Sequence, residues 1–252
     1  MRPRKRLNIW EYRKINTMHD TVAKLLEAEY APQRSEEWLR LREGMLTASD
    51  AATALGLNPY EKPKDLLMKK CGLKKFDGNA ATMHGNKYED EARDIYCLKY
   101  NEVAHEIGLR PHPEHPWLGG SPDGITESGK LLEIKCPLRR EIKPEVPVYY
   151  MPQLQLLMEI LDLGQCDFIQ YKPAEMTWPA PCEFVVVHVL RDRRWFADAL
   201  PVFRAFWDTV LEGRRNGLGL PPVRTRVKKV PIEVPPEKCE IEEDDENNIE
   251  EV

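Results

Sequence analysis

An α/β fold, with a mixed central β-sheet flanked by helices and its chemistry carried on a hairpin, is what three features of the sequence predict. Helical periodicity dominates as far as Tyr100, short extended segments divided by turn residues run from Val103 to Cys136, and helix and strand patterns then alternate up to Gly213. In order, Ser35 is placed to cap a helix through Arg42, with Glu36 and Glu37 in its first turn, and Thr47 or Ser49 can start a short helix that Gly56 ends. Pro63 to Cys71 reads as a helix closed by Gly72, and Asn79 to Tyr100 as a longer one bearing Glu89, Ala92, Tyr96 and Tyr100 on one side. Val103–Leu109, Leu118–Ile125 and Lys130–Cys136 are expected strands, the last two joined by a turn at Ser128-Gly129. Gln153–Leu163 has the apolar density of a helix, Cys166–Tyr171 and Phe184–Leu190 read as strands, and Trp195, Leu200, Phe203, Phe206, Trp207 and Leu211 line one face of a final helix.

These elements define a domain over 34–217, preceded by a basic extension, 1–33, and followed by a Pro-rich and then acidic tail, 218–252. Of the 252 residues 42% are hydrophobic and 31% charged, a balance that supports a buried core and excludes a low-complexity chain. No apolar segment reaches the length of a membrane span and the basic N-terminal residues lack a signal-peptide core, so an intracellular protein is expected. The six cysteines show neither CxxC nor zinc-like spacing and are read as free thiols. His112 and His115 stand in an HxxH spacing, but Pro113 and Pro116 prevent the helix that would align them on a metal.

The formal charge of −5 is misleading. Glu237 to Val252 holds nine acids and one lysine, and without that segment the chain would carry a charge of +3. Basic residues cluster at Arg2, Arg4, Lys5 and Arg6 and again from Arg214 to Lys229. If the acidic tail competes with an anionic ligand for the basic body, truncation before Glu237 is expected to tighten non-specific binding of a polyanion, most at low salt where charges are least screened. A salt titration of the two proteins checks this, and equal affinities throughout would show the tail to be inert.

The chemistry concentrates in Gly120-Ser121-Pro122-Asp123-Gly124 and Leu131-Leu132-Glu133-Ile134-Lys135-Cys136-Pro137. On a strand Glu133 and Lys135 share one face, while Leu132, Ile134 and Cys136 take the other, toward the core. A three-residue loop at Glu127-Ser128-Gly129, with Gly129 left-handed, sets Asp123 opposite Glu133, whereas a two-residue turn sets it opposite Ile134. Two hard carboxylates beside open coordination positions suit Mg²⁺, with Mn²⁺ as a substitute, and an adjacent ammonium suits the charge of a phosphorus centre, which together imply phosphodiester hydrolysis. The sequence carries its own control, because Glu141-Ile142-Lys143 repeats the tripeptide without an Asp ten residues upstream in a preceding strand and runs into Pro144.

Pro122-Asp123 followed by Glu133-x-Lys135 resembles the PD-(D/E)xK nuclease superfamily. The blocks Arg42–Ser49, His84–Glu89, Ser121–Gly124, Leu132–Pro137 and Met151–Gln155 resemble its lambda-exonuclease and YqaJ-like viral recombinase branch over roughly Arg34 to Pro173. The resemblance implies a restriction-endonuclease-like core in which Asp123, Glu133 and the main-chain carbonyl of Ile134 hold metal, assisted through water by Glu89. Lys135 is then the catalytic lysine, Gln153 orients water or phosphate, and Arg42, Ser49 and Ser121 form a pocket for a DNA 5′-phosphate. In one place the chain departs from lambda exonuclease: a further acid upstream of the motif is replaced by Pro113, Glu114 and His115, so a second metal would have to draw on Glu114.

The expected activity is 5′ to 3′ digestion of double-stranded DNA in recombination or repair. The resemblance further implies a large DNA virus or phage as source, the cytoplasm or nucleus of an infected cell as setting, a homotrimer, and a single-strand annealing protein as partner. Two other readings use the same residues. A structure- or sequence-specific endonuclease would share the metal centre but not need Arg42 and Ser49, and an inactive DNA-binding protein of the same fold would not need the acids with their lysine.

Overall fold

The computed structural model describes residues 18–74 and 80–218; Asn79, the basic cluster at Arg2 to Arg6 and the tail beyond Leu218 lie outside them. The helices are α1 (Asp20–Glu27), α2 (Glu36–Glu43), α3 (Ala51–Ala54), α4 (Pro63–Lys70), α5 (Ala80–Tyr100), α6 (Met151–Leu161), α7 (Ala174–Thr177) and α8 (Arg193–Asn216). The strands are β1 (Leu46–Thr47), β2 (Ala104–His105), β3 (Arg110–Pro111), β4 (Leu118–Gly120), β5 (Gly124–Thr126), β6 (Lys130–Lys135), β7 (Gln165–Lys172) and β8 (Glu183–Leu190). No described helix is long and apolar enough to cross a membrane.

A five-stranded sheet in the order β2-β5-β6-β7-β8 forms the centre, antiparallel except for the β6–β7 pair, which α6 connects. Its side chains alternate between two cores. Leu131 and Phe168 face the core built with α6 and α8, while Leu132, Ile134 and Ile169 meet Tyr88, Ala92 and Tyr96 of α5 on the other side. Covering both faces explains why β6 has apolar residues at successive positions, a pattern normal for central strands.

The sequence reading needs correction at four places. The segment Leu118–Ile125 is not one strand: β4 belongs to a separate three-stranded sheet, β1-β4-β3, and β5 to the large one. Pro122 sits at the break, where its missing N–H could not continue a ladder. Val103–Leu109 is likewise mostly irregular, with only Ala104 and His105 paired, to Thr126 and Ile125. The last helix passes Gly213 and ends before Gly217, whose φ of 72° marks the exit; Phe196, Ala199, Phe203, Trp207 and Val210 are its buried side chains.

The fourth concerns 1–33, which the sequence suggests is an extension: α1 folds against the domain, with Val22 fully buried and the His19 N–H donating to the Glu127 carbonyl at 2.9 Å. Arg110, itself buried, donates to the carbonyls of Leu25 and Ala28 at 2.9 Å and of Glu29 at 3.2 Å, supplying donors to the open end of α1. Arg110→Ala is expected to cost ~2–3 kcal/mol, since the three carbonyls lose a charged donor in a dry site. Chemical denaturation checks it, and an unchanged midpoint would mean α1 is held by its apolar face alone.

Other expectations hold closely. Ser35 caps α2 by accepting from the Trp38 N–H at 3.2 Å, and it is Thr47, not Ser49, that sits at the start of the following turn, giving both its N–H (3.0 Å) and its hydroxyl (2.6 Å) to Asp50. Gly120 is required by close packing, because a Cβ there would come within 2.5 Å of Leu157 on α6.

Candidate active site

The β5–β6 hairpin creates the acidic pair. Glu127-Ser128-Gly129 is a three-residue loop, Gly129 has φ 90°, and Gly124 pairs with Leu132. Continuing that register by one step sets Asp123 opposite Glu133, as the longer of the two expected loops requires. Pro122 lies between β4 and β5, and Asp123 is then fixed at three points. Its carboxylate accepts from the Ile134 N–H at 2.7 Å, its carbonyl accepts from Arg93 of α5 at 2.9 Å, and Gln33 donates to the neighbouring Pro122 carbonyl at 2.8 Å.

Glu133 is fully buried at the centre of the sheet. Both Lys135 and Gln153, the latter from α6 at 2.5 Å, donate to Oε1 of Glu133, while Oε2 is buried with no hydrogen-bond partner. An uncompensated buried oxygen of this kind is costly unless something positive reaches it. Burial first, then the Asp123 charge, push the Glu133 carboxyl up to about 8. Burial and Asp123 likewise raise Glu89, on α5, to about 7, although Arg34 lies 3.1 Å away. Asp123 is raised by burial too, against the opposing pull of Lys135. Burial alone would lower the Lys135 ammonium, but Glu133 and Asp123 outweigh it and hold it above its ordinary range, so it stays charged.

Three carboxyls raised together, with one oxygen unpartnered, describe a site short of positive charge. Among the described residues no three His, Cys, Asp or Glu side chains converge into a complete metal cage. Asp123 and Glu133 nonetheless supply two hard oxygen ligands, which fits Mg²⁺, an ion that keeps several waters and takes only one or two carboxylates. They adjoin a cleft of about 790 Å³ lined by Asp123, Ile134, Lys135 and Glu89.

A second group gathers at the end of α2. Arg42 Nη2 donates to Ser49 Oγ at 2.9 Å, and Ser49 is within 3.0 Å of Thr47 Oγ1. The Arg42 guanidinium lies 4.4 Å from the Trp38 ring centroid, and Trp38 Nε1 donates to Ser121 Oγ at 3.3 Å. Arg42, Ser49 and Ser121 therefore meet around Trp38, which the sequence analysis overlooked. Its i, i+4 spacing from Arg42 on one helix was the available signal, because that spacing stacks a guanidinium on an indole. Ser121 is two residues from Asp123, so one loop serves both groups.

Arg34, Arg93 and Tyr150 were also missed. Arg34 has φ 67°, Arg93 holds the Asp123 backbone, and the Tyr150 ring lies 5.3 Å from the Lys135 ammonium. The second Glu-x-Lys copy lies in the irregular segment after β6, with Glu141 and Lys143 exposed. His112 does not offer itself to a metal through Nδ1, which accepts from the N–H groups of Glu114 and His115 at 3.1 and 3.2 Å.

With this geometry in place, a family model for the YqaJ-like viral recombinase domain matches residues 37–163, which span α2 through α6 and include every element of the hairpin site. The chain belongs to the YqaJ-like viral recombinase family. Among similar proteins, protein R354 of Acanthamoeba polyphaga mimivirus is 34% identical over 180 residues, covering 64% of this chain and 32% of the relative. Protein D345L of African swine fever virus is 34% identical over 155 residues, 49% of this chain and 44% of the relative. This YqaJ-like chain therefore spans less than half the length of these curated relatives. Among solved structures, the alkaline exonuclease LHK-Exo from Laribacter hongkongensis superposes with a TM-score of 0.61 at 25% identity, covering 72% of this chain and 95% of that one. A phage-related exonuclease from Haemophilus somnus, at 15% identity and a TM-score of 0.52, shares the fold. The α/β architecture of this YqaJ-like domain is thus that of solved exonucleases.

Proposed function

We propose that this chain is a Mg²⁺-dependent nuclease, with Mn²⁺ able to substitute, that hydrolyses double-stranded DNA 5′ to 3′ from 5′-phosphorylated ends during recombination or repair. The observation that carries the reading is the single loop Ser121-Pro122-Asp123. It joins the buried carboxylate pair to a guanidinium flanked by hydroxyls, a group suited to phosphate. An endonuclease needs the first group but not the second. LHK-Exo, also solved in complex with dAMP, supports nucleotide chemistry in this fold.

Asp123, Glu133 and the Ile134 carbonyl would hold the metal, with Glu89 reaching it through water, and the ion would polarise the scissile phosphate and acidify a bound water. Lys135 and Gln153 hold Glu133 through one oxygen and leave the other for ligation; this gives Gln153 a carboxylate to position, whereas the resemblance had assigned it water or phosphate. The Lys135 ammonium offsets the charge that builds on phosphorus as water adds and the P–O bond breaks, the departing oxygen leaving with a proton. Arg42, Ser49 and Ser121 bind the terminal phosphate and fix which bond is presented. The viral relatives and family support an infected cell as setting, and a homotrimer and a single-strand annealing partner remain part of the proposal. Digestion of end-labelled linear and closed circular duplex side by side in Mg²⁺ tests the reading. Loss of the linear DNA from 5′ ends with the circle untouched is expected, and fast cutting of the circle would overturn it.

A further inference from the structure

One wall of the catalytic cleft is aromatic. Tyr60 and Tyr149 line it together with Tyr150, and the first two rings meet edge to face, with centroids 5.5 Å apart. Tyr149 in turn lies 4.5 Å from Tyr150, and Tyr150 5.5 Å from the fully buried Phe168. Ring contacts thus run from the core, past the Lys135 ammonium, to Tyr60, which is 77% exposed.

An exposed tyrosine is ordinary when it is free to move, but Tyr60 is held at both ends. Its N–H donates to Asn58 Oδ1 at 3.0 Å, and Asn58 Nδ2 donates to the buried Thr53 hydroxyl at 2.8 Å. Its ring packs edge to face on Tyr149, whose phenol burial pushes above its usual range. A fixed aromatic face bears little ordering cost on binding. Arg140 lines the same cleft and acts electrostatically on Tyr149, and its Nη2 is buried without a hydrogen-bond partner. A ring face, a guanidinium and a catalytic lysine within one cleft match the base and phosphates of a nucleotide, a combination an apolar protein surface does not need.

We propose that the exposed Tyr60 ring, braced edge to face by Tyr149, is a stacking platform for an unpaired nucleobase of the strand that enters the cleft. Bases inside a duplex stack on each other and offer no free face, so the platform requires that the strand part from its complement before hydrolysis. This rests on the nuclease reading above and adds to it the state of the strand at the site.

The test uses the full chain with Ca²⁺ in place of Mg²⁺ and duplexes carrying 5-iodouracil at successive positions from the 5′ end. Binding is followed separately by anisotropy of a dye on the far end. Irradiation is expected to crosslink a near-terminal base to Tyr60 or Tyr149. Tyr60→Ala should weaken binding about fivefold to a hundredfold, while Tyr60→Phe, which keeps the ring, stays within about twofold of wild type. Bound DNA that crosslinks only elsewhere, or wild-type affinity in Tyr60→Ala, would overturn the platform while leaving the nuclease reading standing; the pair would then be a surface for a protein. A wild-type chain that binds no DNA at all would bring down the nuclease reading, and this inference with it.

Discussion

Asp123→Asn and Glu133→Gln are each expected to lower hydrolysis of linear duplex DNA in Mg²⁺ by about three orders of magnitude or more, ~4 kcal/mol in barrier height. Each substitution replaces an anionic ligand by a neutral one at a site whose carboxyls are already raised for want of positive charge, so a cation loses most of its reason to bind. The fold survives. Burying a neutral amide in place of Glu133 removes its repulsion with Asp123, and Asn at 123 keeps an oxygen for the Ile134 N–H. Initial rates, with circular dichroism and DNA binding in Ca²⁺ as controls, measure the effect. A folded mutant that cuts at the wild-type rate would refute the metal assignment.

Arg42→Ala is expected to erase the preference for 5′-phosphorylated over 5′-hydroxyl ends that the proposed function implies. A terminal phosphate bears more negative charge than an internal diester, and Arg42 lies partly buried against Trp38 with Ser49 beside it. Burial lowers the guanidinium somewhat, yet it remains a cation, so its charge acts in a medium that screens poorly. Losing such a contact costs roughly 2–5 kcal/mol, on the order of a hundredfold in rate or affinity. The ratio of initial rates on the two ends is the measurement, for wild type and mutant. A wild-type ratio near one would show that ends are not read here, and the endonuclease reading would replace the present one.

Much of this was legible in the sequence, because its determinants are local. Ser35 caps α2 through a bond spanning three residues, and Gly129 permits the loop whose length sets Asp123 opposite Glu133. The acids and the lysine could therefore be brought together from strand alternation and a choice between two loop lengths, of which the structure has the longer. That same alternation could not say that both faces of β6 are buried, which depends on α5 and α6 closing from opposite sides. It is this closure that leaves Glu133 Oε2 dry and partnerless and raises the three carboxyls.

Contacts between distant segments were beyond reach for a simpler reason: nothing in a run of residues encodes which other run will lie beside it. Trp38 meets Ser121 across 83 positions, Arg34 meets Glu89 across 55, and Arg110 closes α1 across more than 80. The break at Pro122 was visible as a residue but not as a change of sheet, since that is decided by which strands are free to pair with β4 and β5. By itself the sequence determined the chemistry of the hairpin, because adjacent residues carry it. Only the tertiary structure decided the electrostatics of that chemistry and the walls around it, because burial, desolvation and the meeting of Tyr60 with Tyr149 arise from packing segments far apart in the chain.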